Sequence, residues 1–299
     1  MIDPNPDPDG TISSDQFDTV AEAIAAVPEN GTLALPDDSV IEDELVIDKP
    51  MTLSMHGSTV TGKIAINATG PVTMKDGTLA YKDADGAKGK NTVGISVTGT
   101  EPVTFENCVF DVEARTAVQI NTSGETTFDG CTFNVSKTGV YNMIETSPSS
   151  AVSAPLVSKF TLKDCKQIGE VNHNFLSLYR FAEGAEVNII DCTLEDANMQ
   201  SSIRISNVTS ATATINLKNY SVNYAPGQTP EGGECQLLCQ DYTKNTPQDF
   251  TKITVNFDNF TVDGTKVMSS EGASGIPVYA VYNNGYITGQ GNDPVVTFK

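Results

Sequence analysis

The chain contains no tryptophan and only three arginines, Arg115, Arg180 and Arg204, and its 18 basic residues face 38 acidic ones. A net charge of −20 argues against a role that rests on neutralising phosphates, so nucleic acid is not an expected partner. Anionic membrane surfaces are disfavoured by the same field. No apolar run approaches the roughly 18 residues that a membrane span needs. The first residues lack the basic and apolar regions of a signal peptide, and an intact Met1 is read as the start of a cytosolic product. No CxxC or Cys/His spacing suggests zinc. The two histidines, His56 and His173, are isolated from each other in the repeat order described next.

What the chain does have is a recurring seven-residue pattern: Thr or Asn, apolar, any residue, Asx or Gly, small or aromatic, any residue, apolar. The copies begin at Thr73, Thr104, Thr127, Thr161, Asn188, Asn216 and Asn256, with spacings of 31, 23, 34, 27, 28 and 40 residues. Only Gln167 breaks the final apolar position. A second element, a short alternating segment such as Gly94-Ile-Ser-Val97 or Ser202-Ile-Arg-Ile-Ser206, precedes most copies. Period-two alternation predicts strands, so each period holds at least two strands joined by polar loops.

Such a period predicts a parallel β-helix, one repeat per coil, with equivalent residues stacked about 4.8 Å apart. Stacking accounts for an apolar column: Met74, Phe105, Phe128, Leu162, Ile189, Leu217 and Phe257. It also accounts for a turn column of Asp76, Asn107, Gly130, Asp164, Asp191, Asn219 and Asn259, because a tight bend needs residues that tolerate left-handed geometry. A β-sandwich also has many short strands but gives no reason for a fixed interior column. Residues 17–27 place Phe17, Val20, Ala21, Ile24 and Val27 on one helical face, with Asp18 as N-cap. Such a helix would cap an open coil end.

The stretch from Phe17 to Val60, with Ala23-Ile-Ala-Ala-Val-Pro-Glu-Asn-Gly-Thr32 and Leu45-Val-Ile-Asp-Lys-Pro-Met-Thr-Leu53, resembles the opening of pectate-lyase-like β-helix proteins. The coil motif extends the resemblance along most of the chain. It implies an all-β fold: a right-handed, single-stranded parallel β-helix of about eight to nine coils with a short N-terminal capping α-helix. Residues 1–15 read as a Pro/Asp-rich arm and residues 16–299 as the β-helix domain, with 16–31 the capping helix and turn and 32–299 the coils. The fold hosts lyases, hydrolases, esterases, phage tailspikes, virion decorations and adhesins, so it does not specify function.

Four of the six cysteines, Cys108, Cys131, Cys165 and Cys192, fill one motif slot in consecutive copies. They predict a ladder of small buried thiols, since side-chain vectors on one ladder run parallel rather than toward each other. Cys235 and Cys239 lie too far apart along a strand to bridge. Six thiols without an evident framework fit a reducing compartment.

Catalytic signatures implied by the resemblance are largely missing. Of the polygalacturonase-type segments, only Arg204-Ile-Ser206 is faintly similar to one. A fold-independent search for acids on adjacent coils finds Glu106 and Asp129, whose carboxyls would approach the separation of a retaining glycosidase pair, about 5 Å. Lys75 and Lys163 flank them, which favours a solvated ladder of opposite charges. The reading leans away from an enzyme without closing the question, and no cofactor is implied. Asn5, Asp7 and Asp9 overlay part of a calcium loop, but prolines intrude, and a stiff acidic arm is the preferred reading.

The expected function is that of a non-enzymatic structural or binding protein, a phage capsid decoration or head-fibre component on the virion surface. The arm residues Ile2, Asp3, Pro4, Asn5, Pro6, Asp7 and Pro8 would dock it to a capsid or other virion protein. Lateral loops near Tyr220, Tyr224 and Tyr242 would meet a glycan or host surface. A homotrimer is left open. The alternatives are a polysaccharide lyase, glycosidase or tailspike-like depolymerase, and a bacterial adhesin at the cell surface.

Overall fold

A computed structural model describes residues 10–90, 92–135, 139–146, 156–171, 173–197, 201–206, 209, 211–227, 237–240, 250–269, 279–282 and 293–299. The chain is a parallel β-helix, with three sheets of eleven, ten and nine strands running along its length. One coil visits each sheet once. The first runs Gly31–Ala34, Val40–Ile41 and Leu45–Ile47, and the fifth runs Thr126–Asp129, Thr132–Val135 and Asn142–Thr146. The seven-residue motif spans two of these strands. In Thr104–Phe110 the strand Val103–Glu106 ends, Asn107 and Cys108 turn the corner, and Val109–Phe110 begins the next sheet.

The turn column has the predicted geometry: Asp76, Asn107, Gly130, Asp164, Asp191, Asn219 and Asn259 all have φ between 49° and 64°. Their side chains also tie coils together. The Asn107 amide donates to Asp76 at 3.2 Å, Asn219 to Asp191 at 2.6 Å and Asn259 to Asn219 at 2.9 Å. The predicted interior column pairs in register and is buried throughout. Outside it, on the same strands, Thr73, Thr104, Thr127 and Thr161 pair coil to coil. They continue into Asn188, Asn216 and Asn256, whose amides link at 2.9 Å.

Two buried polar side chains interrupt apolar columns. Gln167 follows Phe110 and Phe133 in register; its Nε2 reaches the Gly169 carbonyl at 3.4 Å, and its Oε1 has no partner. Thr126 stands between Val103 and Phe160, and its buried hydroxyl is also unpartnered. A buried hydroxyl without a hydrogen bond is costly, and two earlier coils carry valine there, Val72 and Val103. Thr126→Val should therefore raise the unfolding free energy by about 1–2 kcal/mol, measured as a higher urea midpoint at unchanged slope.

The capping helix is shorter than the sequence suggests. It covers Val20–Ala26, and its N-cap is Thr19 rather than Asp18: the Thr19 hydroxyl accepts from the Glu22 N–H at 3.2 Å. Starting at Val20 puts Val20, Ala23, Ile24 and Val27 on the buried face and leaves Ala21 exposed. Phe17 packs against the core from the preceding loop. Lys49 Nζ donates to the carbonyls of Ala25 and Val27 at 2.7 and 2.5 Å, placing a cation at the negative end of the helix. Ahead of the helix, Thr11–Ser13 pairs in parallel with the first coil, so this part of the segment read as an arm belongs to the eleven-stranded sheet.

Candidate functional site

Glu106 and Asp129 do pair side by side in the eleven-stranded sheet, on its outer face. Lys163, one coil on, is turned onto Asp129 at 3.1 Å and also meets Asp164 at 3.4 Å. Its hydrogen bond to Asp129 raises the Lys163 pKa. Lys159 and Glu125 make a second cross-coil pair at 2.9 Å. These are exposed ion pairs of the kind that contribute little individually; Glu106 stands in register with Lys75 on the other side.

The cysteine slot lies inside the helix. Cys131 and Cys165 direct their thiols at the carbonyls of Phe105 and Phe128 in the coil before, both at 3.3 Å. All four ladder cysteines are free and buried, and Cys239 is buried as well. Hydrogen bonding between neighbouring thiols, together with burial, pushes the Cys131 and Cys192 thiols up. Tyr220, expected beside a partner-binding loop, is instead fully buried. It occupies the slot next after Cys192 and stacks on Phe260 at 5.6 Å; burial pushes its phenol up. A tyrosine at that motif position points into the core just as the cysteines do. Tyr224 is half-buried at the end of the strand Ser221–Tyr224. Tyr242, the arm residues Ile2 to Pro8 and the calcium candidates Asn5, Asp7 and Asp9 lie outside the described residues. Among the described residues, no group of three or more His, Cys, Asp or Glu is placed to hold a metal ion.

The richest side-chain cluster is one that the sequence reading did not assemble. It lies along the nine-stranded sheet, where Thr116, Asn142, Asn174 and Ser201 follow one another in register. The residues just before three of these strands, Arg115, Tyr141 and His173, form a column. The backbone ladder extends to them, with Tyr141 N–H donating to Arg115 at 3.2 Å and His173 N–H to Tyr141 at 2.9 Å. The Arg115 guanidinium lies 4.4 Å over the Tyr141 ring, and Tyr141 stacks on His173 at 4.4 Å and 24°. A cation over a tyrosine face is attracted by the ring quadrupole. Arg204 completes the group from the next coil: Nη1 stands 3.3 Å from His173 Nδ1, and Cζ stands 4.9 Å over the Tyr179 ring.

The chain matches no family model and no curated protein.

The cluster must therefore be understood from its own geometry. Its floor is a polar network. Asn174 Nδ2 donates to Ser201 Oγ at 2.6 Å, Ser177 Oγ to Asn142 Oδ1 at 3.2 Å, and Thr116 Oγ1 to Glu145 Oε2 at 2.6 Å. Gln119, Glu145, Ser177 and Arg204 make the neighbouring column. Exposure falls along it: Gln119 and Glu145 are half-buried, whereas Ser177 and Arg204 are at 0% and 1%. One end of this face thus presents Arg115, Tyr141, His173, Gln119 and Glu145 to solvent, backed by a buried arginine. Aligning Arg115-Thr116, Tyr141-Asn142 and His173-Asn174 in register would have exposed the column. These residues precede the alternating segments and so fall outside the repeating motif.

Proposed function

We infer that this chain is a non-enzymatic structural and binding protein, a rigid rod of a virion surface such as a capsid decoration or head fibre, whose nine-stranded face engages a glycan. The observation that carries the reading is the Arg115–Tyr141–His173 column beside Gln119 and Glu145. It sets amide, carboxylate, phenol and guanidinium groups at strand spacing on a stiff support. Hydroxyl-rich ligands are recognised by convergent, fixed hydrogen-bonding groups next to aromatic surface, and a sheet held in register on both sides loses little entropy on binding. The Lys163–Asp129 ion pair, which occupies one of the two candidate acids, supports a binding role over hydrolysis.

A glycan array probed with the purified chain should yield a bound class. Arg115→Ala and Tyr141→Ala should each weaken the strongest hit at least about tenfold, or 1.4 kcal/mol, by calorimetry, with unchanged circular dichroism. No bound glycan, or binding indifferent to both substitutions, would overturn the glycan reading. Co-sedimentation of the chain with particles from the producing host checks the virion assignment.

A further inference from the structure

The N-terminal end of the rod is unlike its sides. The eleven-stranded sheet is extended there by Thr11–Ser13, but among the described residues the other two sheets stop at Val40–Ile41 and Leu45–Ile47. Ser39 and Ile41 accept from Thr59 and Thr61 of the second coil, while Leu45 donates to Lys63 and Ile47 accepts from Asn67. Alternation in a parallel ladder therefore turns the N–H and C=O of Val40 and Val46 off the open edge. The side chains of these two valines are also 62% and 53% exposed. Edge strands are ordinarily protected by charge, proline or cover; the capping helix packs against Leu45–Ile47, whereas Val40–Ile41 presents valine beside the helix. Beside Val40 a groove of about 380 Å³ runs between Phe17, Val20 and Ile41 and the acids Asp18 and Glu42.

The turn joining the two edges is Glu42-Asp43-Glu44, and all three residues are exposed. Residues 10–50 hold ten acids and one lysine, and that lysine is bound to the helix C-terminus. We propose that this end docks a basic, extended segment of a second protein, which adds as a strand at Val40, along the groove beside it, and lays its cations over Glu42, Asp43 and Glu44. Main-chain pairing supplies the affinity of such strand addition, and the acidic turn supplies attraction and selectivity. The proposal rests on the virion-surface reading above and supplies the contact by which such a rod would be held. It uses none of the residues of the Arg115–Tyr141–His173 column, so the two fail separately.

The probe is a fluorescent peptide alternating Lys and Val, compared with the same peptide carrying Pro at alternate positions and with a Glu/Val version. The Lys/Val peptide should bind the full chain, more weakly as salt rises, and should slow amide exchange at 40–44. The proline and Glu peptides should bind at least tenfold more weakly. Glu42→Lys with Asp43→Lys should cost a further tenfold, whereas Tyr141→Ala should change nothing. Equal binding of the proline peptide would overturn strand addition, and an unchanged affinity in the double-lysine variant would overturn the location. Self-association of the free chain that is lost in Val40→Lys would assign the edge to a second copy and overturn the basic partner.

Discussion

Phe128→Ala should lower the unfolding free energy by about 3–5 kcal/mol, read as a fall in urea midpoint. Phe128 is fully buried and touches four other rings: Phe105 at 4.9 Å, Phe110 at 5.6 Å, Phe133 at 5.7 Å and Phe160 at 5.9 Å. The stacked pair with Phe105 and the tilted pairs each add to simple area burial. A cavity here cannot be closed by local collapse, because the surrounding residues are held in register by three sheets. In a stacked-coil protein each coil contacts only its neighbours, so the damage should be local first. Amide exchange in the fourth to sixth coils should accelerate before that of the first. Phe128→Leu, which copies Leu53 and Leu162 of the same column, should cost no more than about 1.5 kcal/mol. A loss below about 1 kcal/mol for the alanine variant would contradict the ring packing.

Arg204→Ala is the second large effect, about 2–4 kcal/mol of destabilisation. The side chain is almost completely buried on the outer face of the nine-stranded sheet, where its guanidinium faces the Tyr179 ring and meets His173. Removing it leaves a void and strips the support from one end of the Arg115–Tyr141–His173 column. On the proposed glycan reading, affinity should fall as well, although Arg204 itself is not open to solvent. Arg204→Lys keeps the charge but loses the planar group that fits between an aromatic face and an imidazole. It should recover less than half of the lost stability in denaturant titrations. Full recovery by lysine would mean that charge alone matters at this position.

Much of this architecture can be read from the amino-acid order. The seven-residue motif encodes a strand end, a left-handed turn residue and the start of the next strand, and all seven copies adopt that geometry. The cysteine ladder follows from slot equivalence alone, since a residue repeating in register must stack on its counterpart. Those signals are local, and a period in the chain becomes a period in space. The N-cap was misplaced by one residue, since Asp18 and Thr19 are both good caps and only packing of Val20 and Ile24 under the first coil chooses between them.

Tertiary structure decided what the repeat does not encode. Tyr220 lies beside loops in the chain, yet the slot it occupies places it in the core against Phe260. Arg115, Tyr141, His173 and Arg204 are separated by intervals of 26, 32 and 31 residues. Repeats of uneven length, 23 to 40 residues, hide which residues outside the motif will share a column. The edge at Val40, unpaired among the described residues, is likewise invisible in the sequence, because a missing neighbour strand leaves no mark in the residues that lack it. The sequence by itself determined the coil, its interior and its turns, because those depend on contacts between equivalent positions. The lateral column and the acidic, unpaired end depend on contacts between inequivalent positions, and those exist only once the coils are stacked.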